Sequence, residues 1–442
     1  MTSRTRAVQR VRALAEKLRS SFFFLPALAV VVAFFAARLL VGVEAGDWVG
    51  RSTVDSARTV LSTTAAATIT FASVTFSVSL LIMQQGSNQF SPRVIHGLIR
   101  DPFNRRVIAM VVGTFTYCLV SLQRVRGPLA EGGEELVPEL SVAIGLGLGV
   151  LSVLAVVAAI NHTSRKMDVS VILGGIVEQT TAVASSPATD DQFRVASDAR
   201  AFAGAGHAVT TVRFDTDGWV QQIDRRGLLA LTEPGSTIRL DTDTGRYAIR
   251  GTPLCTIWPA VPEDRHDEFC DRARRLVRVG ATRTMSEDPG YGIRQLVDVA
   301  LRALSPGIND PTTAQDAIFH LGTVLVDRLT SPPAPTAYAD DQGRQLLTPH
   351  ALTDANMAEL ALAELRRAAD QPAVAVYLLQ MIGLVVDAAA ANGDRNRAEP
   401  LIEQAGLVVA TVIAADDVLD IDRRRVQQTY DRLFATYGEV PD

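Results

Sequence analysis

The stretch LSTTAAATITFASVTFSVSLLIM, residues 61–83, decides the fold class of this chain because it holds 23 residues and no charged side chain. An α-helix rises about 1.5 Å per residue, so a helix of this length crosses the hydrocarbon core of a bilayer, which is about 30 Å thick. The sequence therefore predicts a transmembrane helix from Leu61 to Met83.

Three more apolar runs predict further transmembrane helices. Phe22 to Val43 has one charge, Arg38, near its end, Val107 to Leu122 is short but uncharged, and Leu140 to Ile160 is rich in Gly, Leu and Val. A cleaved signal peptide resembles the first run, but this run is too long and no small-residue cleavage site follows it. We predict that residues 1–166 form a domain with four transmembrane helices.

The basic residues predict the orientation of these helices. Residues 1–166 carry 17 basic and 9 acidic side chains, and the remainder carries 26 and 39. The basic side chains concentrate before the first run, after the fourth run and in the loop after the second run, where they are Arg93, Arg100, Arg105 and Arg106. Basic loops stay on the cytoplasmic side. The predicted protein is therefore a multi-pass protein of the plasma (inner) membrane, with both termini and the C-terminal domain in the cytoplasm.

The basic loop after the second run has two interpretations. Ser91-Pro92 is a favourable start for a short amphipathic helix, whose arginines would face the lipid headgroups. Such an interfacial helix is attracted to anionic lipid. The alternative is a basic vestibule that concentrates anions.

The second run carries hydroxyl side chains on two sides of its helix. One stripe is Thr64, Thr68, Thr75 and Ser79, and the opposite stripe is Ser62, Thr63, Thr70, Ser73 and Ser77. Small hydroxylated residues let helices pack closely and bond to their own turn. Alternatively, one stripe packs and the other lines a water-filled path between subunits. For the second interpretation, the predicted pore-lining residues are Thr64, Thr68, Thr75 and Ser79.

After the fourth run, residues 167–262 are predicted to form a helix, Asp168 to Ala184, and a small β-rich unit. The predicted strands are Ala208 to Phe214, Trp219 to Ile223, Thr237 to Leu240, Tyr247 to Arg250 and Pro253 to Trp258. Their order resembles a barrel-sandwich module of the lipoyl or biotinyl carrier type, which predicts a small β-barrel-like unit. Such carriers need a Lys at a hairpin tip, and the region has none, so a covalently carried cofactor is excluded.

Residues 263–442 are predicted to form a helical cytoplasmic domain. Apolar residues recur at helical spacing in Phe269 to Val279 and in Gly292 to Leu304, whereas the proline-rich Ser331 to Pro349 predicts a surface loop or linker. A helical bundle is predicted at the end of the chain, made of Asp354 to Asp370, Val374 to Asn392, Arg397 to Ala415 and Ile421 to Tyr437. The predicted fold class is thus an α-helical membrane protein with an α+β cytoplasmic domain.

A polar turn before Ala314 is the candidate ligand site of this domain. It contains Ser305, Asn309, Asp310 and Thr312. Asp310 followed by Pro311 predicts a helix start, and an open helix N-terminus can hold an anion. The alternative is a capped turn between two helices with no ligand.

The sequence has no pattern typical of an enzyme. It lacks nucleotide-binding and hydrolase motifs, its six His are scattered, and none of its three Cys has zinc-site spacing. We predict no catalytic residues, no metal site and no cofactor. The acidic C-terminal part has no basic stripe, which argues against nucleic acid as a partner.

Several features together resemble one bacterial family. They are the Ser/Thr-rich second run, Ser91-Pro92-Arg93 with Asp101, Gly113-Thr114-Phe115 with Tyr117, and the turn ALSPGINDPTTA, residues 303–314. The chain is similar over nearly its whole length to the four-pass membrane proteins called domain of unknown function 2254. This resemblance implies a membrane protein and assigns no activity or catalytic residue.

Two hypotheses of function follow from the residues. The first is an oligomeric channel or pore, in which the second run lines the path and the cytoplasmic domain regulates it. Four helices are too few to enclose a wide path, so this hypothesis requires a homo-oligomer in the lipid bilayer, conducting an unknown ion or small molecule. The second is a membrane-anchored scaffold or ligand sensor without transport activity.

Overall fold

The computed structural model describes residues 24–40, 53–89, 102–125, 137–184, 194–195, 208–369 and 371–435. The chain divides into two compact units, Met1–Asp168 and Val169–Asp442. The first unit is helical in its described residues, and the second combines helices with two β-sheets.

The first unit contains four described helices. They are α1 (Phe24–Leu40), α2 (Val54–Gln89), α3 (Pro102–Leu122) and α4 (Glu139–Lys166). The helices α2, α3 and α4 extend beyond the predicted apolar runs because polar and charged residues continue the helix at their ends, such as Arg165 and Lys166 in the last turn of α4. The described part of α1 has 17 residues, and the remainder of its predicted run lies outside the described residues.

Helix α3 is central to the packing of the first unit. It packs against α1, α2 and α4, and α2 also packs against α4. Gly113 allows the close approach of α1, since a Cβ at this position would lie 3.4 Å from Cβ of Ala29. Leu61, Tyr117 and Cys118 form the centre of a buried apolar cluster.

Four described helices are long and apolar enough to cross a bilayer, judged by length and composition alone. They are Val54–Leu81, Pro102–Leu122, Glu139–Lys166 and Pro372–Ala391. The first three coincide with predicted spans. The fourth lies in the second unit, where most of its side chains are buried against neighbouring helices. A helix buried in the core of a domain is as apolar as a transmembrane helix, so hydropathy alone does not distinguish the two.

The second unit begins with α5 (Val169–Ala184), which is followed by two sheets and their connections. The strands are β1 (Arg194–Val195), β2 (Thr210–Arg213), β3 (Gly218–Ile223), β4 (Thr237–Leu240), β5 (Tyr247–Ala248), β6 (Pro253–Trp258), β7 (Val277–Gly280), β8 (Ala337–Ala339) and β9 (Gln345–Leu347). The short helices between them are α6 (Arg225–Leu231) and α7 (His266–Arg275).

The two sheets do not form the predicted β-barrel-like unit. One sheet has six strands in the order β1-β8-β9-β4-β6-β2, and the other has three in the order β5-β3-β7. The described strands of each sheet end at two open edges, so no closed barrel is present among them. The carrier-like order of strands predicted closure, but β4 pairs with β9 from a distant part of the sequence.

Two predicted elements are corrected by this pairing. Ser331 to Pro349 is not only a surface loop, because it contains β8 and β9, with Ala337 and Leu346 fully buried. The predicted helix Phe269 to Val279 ends at Arg275, and the residues after it form β7 beside β3. In both places a partner strand remote in sequence decides the structure.

The remaining helices complete the second unit. They are α8 (Pro289–Ala303), α9 (Pro311–Thr330), α10 (Asp354–Arg367), α11 (Pro372–Ala391), α12 (Glu399–Ala414) and α13 (Asp420–Phe434). Helix α11 packs against α9, α12 and α13, while α5 packs against α8 and α9. The bundle predicted from helical periodicity is present.

Candidate functional site

One face of α2 packs against α3 and α4. Its buried side chains include Ala57, Leu61, Ala65, Thr68 and Thr75, which recur at intervals of three, four or seven residues. This spacing keeps them on one side of the helix. The face of α2 that contacts α3 and α4 therefore consists mostly of small and hydroxylated side chains.

The stripe predicted to line a pore lies on this packed side. Thr68 is 1% exposed and Thr75 is 6% exposed, while Thr64 and Ser79 are half-buried. A Cβ added at Gly149 of α4 would lie 2.6 Å from Cγ2 of Thr64, so α4 lies directly against this stripe. A pore-lining role for these residues stays a prediction, and within one chain they serve helix packing.

The hydroxyls of this stripe bond to their own helix. Thr68 Oγ1 lies 2.9 Å from the carbonyl oxygen of Thr64, Thr75 Oγ1 lies 2.7 Å from that of Phe71, and Ser79 Oγ lies 2.8 Å from that of Thr75. Each hydroxyl donates to a carbonyl one turn earlier, which satisfies a donor in an apolar environment. No further ligand is needed to satisfy these donors.

The opposite stripe of α2 is exposed along the helix. Its exposed polar residues are Thr59, Ser62, Thr63, Thr70, Ser73, Ser77 and Gln84. The sequence predicted both stripes and placed the pore lining on the packed one, and this assignment stays a prediction. Thr59, Ser62 and Thr70 each donate to a carbonyl oxygen of their own helix, as the packed stripe does. The exposed stripe therefore differs from the packed one in exposure, and each of its hydroxyl oxygens can still accept a hydrogen bond from another helix or from water.

The predicted basic loop is described only in part. Arg93 and Arg100 lie outside the described residues, as does the predicted amphipathic helix after Ser91. Arg105 is half-buried and Arg106 is exposed, and both lie near the start of α3 instead of in a loop. The helix begins earlier than its apolar run because Pro102 is favourable in a first turn.

The polar turn before α9 is a helix cap. The carboxylate of Asp310 accepts a hydrogen bond from the Thr313 hydroxyl at 2.6 Å and from the Thr313 backbone N–H at 3.0 Å. These bonds hold the pKa of Asp310 below its usual range, since they stabilise the ionised carboxylate. The chain's own carboxylate thus occupies the helix N-terminus that was predicted to hold an anion.

The other residues of the turn fit the same role. Ser305 Oγ donates to the carbonyl oxygen of Arg302 at 2.7 Å, and Asn309 adopts a φ of 49°, a left-handed conformation that Asn tolerates. Thr312 is exposed. The capped-turn alternative accounts for each of these contacts.

Replacing Asp310 with alanine is expected to lower the free energy of unfolding by about 1 kcal/mol, because the cap is lost. Asp310→Asn keeps an acceptor oxygen and is expected to cost less. The Asp310 carboxylate stabilises the fold above its unfolded pKa of about 4, and this contribution is lost as pH falls through the lower folded pKa. Urea titrations of both variants at pH 7 test the cap, and equal stability of the alanine variant and the parent would contradict it.

Sequence reasoning missed a second Asp-Pro cap. The Asp288 carboxylate accepts the Tyr291 backbone N–H at 3.1 Å and pairs with Arg283 at 2.7 Å. Burial raises the pKa of Asp288, and Arg283 opposes that rise. The Arg283 guanidinium also lies over the rings of Trp219 and Tyr291, at 5.7 and 5.2 Å. The signal in the sequence was Asp288-Pro289, the same pattern as Asp310-Pro311.

A surface cleft in the second unit is the second candidate site. Leu231, Ile257 and Phe269 form an apolar part of its wall. Its charged side chains include Arg265, which pairs with Glu233 at 2.7 Å. An apolar wall with a few polar groups is the ordinary form of a small-molecule site. Among the described residues, no group of His, Cys, Asp and Glu side chains is arranged to hold a metal ion.

These features define a helical membrane protein with a second unit of mixed α and β structure. The sequence profile of one family, described as predicted membrane protein (DUF2254), matches residues 19–383. The chain belongs to this family.

Uncharacterised proteins of mycobacteria are among its relatives. One from Mycobacterium bovis and one from Mycobacterium tuberculosis are each 28% identical over 398 residues, covering 86% of this chain and 74% of the relative. No solved structure gives a significant match. The family and its relatives therefore carry no activity to transfer.

Proposed function

We propose that this protein is a homo-oligomeric channel of the plasma (inner) membrane, in which the exposed stripe of α2 lines the path. Both termini and the second unit are in the cytoplasm, and the second unit regulates the path. The observation that carries this proposal is the exposed line of hydroxyls from Thr59 to Ser77. Hydroxyls suit a path that is polar without strong selection for one sign of charge.

The exposed stripe also supports oligomerisation. Hydroxyls that donate to their own helix still have oxygen lone pairs that lipid cannot satisfy, so a stripe of this length is favourable at a subunit interface or next to water. In a symmetric ring, each copy presents the same stripe to the axis. The stripe carries no charged residue between Thr59 and Ser77, which favours a passive path over proton-coupled transport.

Conductance of the purified protein in planar bilayers tests the proposal. Thr70→Val replaces a hydroxyl of the exposed stripe by a methyl of similar volume, and we expect unitary conductance to fall roughly twofold or more because the path becomes less polar. Thr68→Val is the matched control, since Thr68 is buried on the packed side. We expect its conductance to equal that of the parent.

Two results would contradict this assignment. A silent bilayer from well-folded, oligomeric protein would exclude an open channel under those conditions and favour the sensor. If the unitary conductance changed in Thr68→Val and not in Thr70→Val, the path would be lined by the packed stripe instead, which is Thr64, Thr68, Thr75 and Ser79.

The proposed orientation predicts a labelling pattern. The three native cysteines are buried, so background labelling is expected to be low. In intact cells, a membrane-impermeant maleimide is expected to label Glu131→Cys, which lies between α3 and α4 in the sequence. Arg100→Cys is expected to be labelled only after permeabilisation, because the basic loop stays in the cytoplasm. The reverse pattern would place both termini outside.

A membrane-anchored scaffold or ligand sensor is the second candidate function. The cleft lined by Leu231, Ile257 and Phe269 favours it, since it combines apolar and charged groups. A sensor predicts no flux and unchanged function in Thr70→Val. Binding of small molecules by the full chain, lost in Phe269→Ala and retained in Thr70→Val, would support this function.

A further inference from the structure

An apolar patch lies on the outer surface of the last two helices of the second unit. On α12, Leu407, Ala410 and Ile413 are exposed, and their spacing of three residues keeps them on one face. Leu419 and Ile421 follow where α13 begins. At 67% and 65%, they are the most exposed large apolar side chains among the described residues of the second unit. Single exposed apolar side chains are ordinary, but a contiguous group of them marks a surface that binds another molecule.

The connection between α12 and α13 holds the two parts of this surface together. The Arg423 guanidinium donates to the carbonyl oxygen of Ala415 at 2.7 Å. The backbone N–H groups of Asp422 and Arg423 donate to the carbonyl oxygen of Leu419 at 2.9 and 3.0 Å. The start of α13 is thereby fixed against the end of α12. The five apolar side chains form one surface, the α12–α13 patch, which consists of Leu407, Ala410, Ile413, Leu419 and Ile421.

Charged side chains of opposite sign lie on the two sides of Ile421. Asp416 and Asp417 precede it and are exposed. Arg424 and Arg425 follow it by three and four residues, are also exposed, and therefore share the outer face of α13 with it. The patch thus has an acidic group at one side of Ile421 and a basic group at the other.

We propose that the α12–α13 patch binds the same patch of a second copy of this chain, about a two-fold axis near Ile421. Such an axis reverses the order of groups, so the acidic group of one copy meets Arg424 and Arg425 of the other. The apolar side chains of the two patches cover one another and leave water. The surface of an anionic membrane is a less favourable occupant, because it repels the exposed Asp416 and Asp417.

This contact goes beyond the channel proposal, since it lies in the second unit and uses no residue of α2. A two-fold contact joins copies in pairs, so an oligomer that uses it contains an even number of chains. A silent bilayer together with an intact contact would contradict the channel alone. Conductance steps from a protein without the contact would contradict this inference alone.

Oxidative cross-linking of the full chain in its membrane tests the two-fold axis. A residue near such an axis forms a disulfide with its own counterpart, and we expect roughly fivefold more cross-linked dimer from Ile421→Cys than from Leu384→Cys. Leu384 is the matched control, because it is 60% exposed and its neighbour Gly383 lies against Leu433, near the other end of α13. The native cysteines are buried, so their own cross-linking is expected to be low. If neither Ile421→Cys nor Leu419→Cys gives more dimer than Leu384→Cys, the inference is overturned.

A charge exchange tests the pairing of acidic and basic groups in the Ile421→Cys background. Arg424→Glu with Arg425→Glu makes both sides of the patch acidic, and Asp416→Arg with Asp417→Arg makes both sides basic. Each pair of substitutions is expected to lower cross-linking roughly threefold or more, because like charges then face each other. Co-expression of the two variants with different tags is expected to restore cross-linking between unlike chains. All four side chains are exposed, so the fold is expected to be retained. Failure of the unlike chains to recover would overturn the inference.

Discussion

Arg397→Met is expected to lower the free energy of unfolding of the second unit by about 3 kcal/mol. Its guanidinium bonds to both carboxylate oxygens of Asp354, at 2.7 and 2.9 Å. It also donates to three carbonyl oxygens at the end of α9, those of Arg328, Leu329 and Ser331. The ion pair is largely buried, with side-chain exposures of 15% and 20%. Methionine keeps the apolar stem but leaves Asp354 without its partner.

Urea unfolding followed by tryptophan fluorescence measures this loss. Two of the three tryptophans, Trp219 and Trp258, lie in the second unit. Arg272→Met is the control, because Arg272 is 56% exposed and lies 3.9 Å from Glu268, the geometry of a surface pair worth at most about 1 kcal/mol. Equal losses in the two variants would show that the contacts of Arg397 do not stabilise the unit.

Gly292→Ala is expected to lower the free energy of unfolding by about 2 kcal/mol, because no space exists for a side chain at this position. A Cβ there would lie 1.8 Å from Oγ1 of Thr180 and 2.8 Å from its Cβ. Thr180 is fully buried on α5, and its hydroxyl donates to the carbonyl oxygen of Ile176 at 2.6 Å. The short, branched side chain of Thr180 cannot swing away, so α5 must move from α8.

Gly174→Ala on α5 is the matched control for this substitution. An added Cβ at Gly174 meets no atom within 4 Å, and alanine favours a helix over glycine by up to about 1 kcal/mol. The two substitutions are therefore expected to change the free energy of unfolding in opposite directions, as measured by the same urea titration. A Gly292→Ala protein as stable as the parent would mean that α5 is not held against α8 by this contact.

Much of the helical structure was predictable from the sequence because it depends on local pattern. The apolar runs at Leu61, Val107 and Leu140 each lie within an observed helix. The strands Thr237 to Leu240 and Pro253 to Trp258 have the predicted bounds, since alternation and turn residues mark both ends.

The rest depended on contacts that a sequence pattern does not show. Both stripes of α2 consist of Ser and Thr at helical spacing, so the sequence could not tell which stripe faces α4. The family resemblance was confirmed over residues 19–383, but it added no geometry. Ser331 to Pro349 appears loop-like because Pro332, Pro333 and Pro335 precede its strands. The Arg397 contacts join three segments that are far apart in sequence.

The parallel pairing of β4 with β9 has a consequence for biosynthesis. Arg239 lies opposite Leu347, so a long stretch must leave the ribosome before β9 can reach β4. At synthesis rates of about 5–20 residues per second, β4 waits on the order of 5–20 s with one edge unpaired. Nascent chains in this interval are the expected clients of chaperones, and fragments that end before Gln345 are expected to aggregate through the open edge.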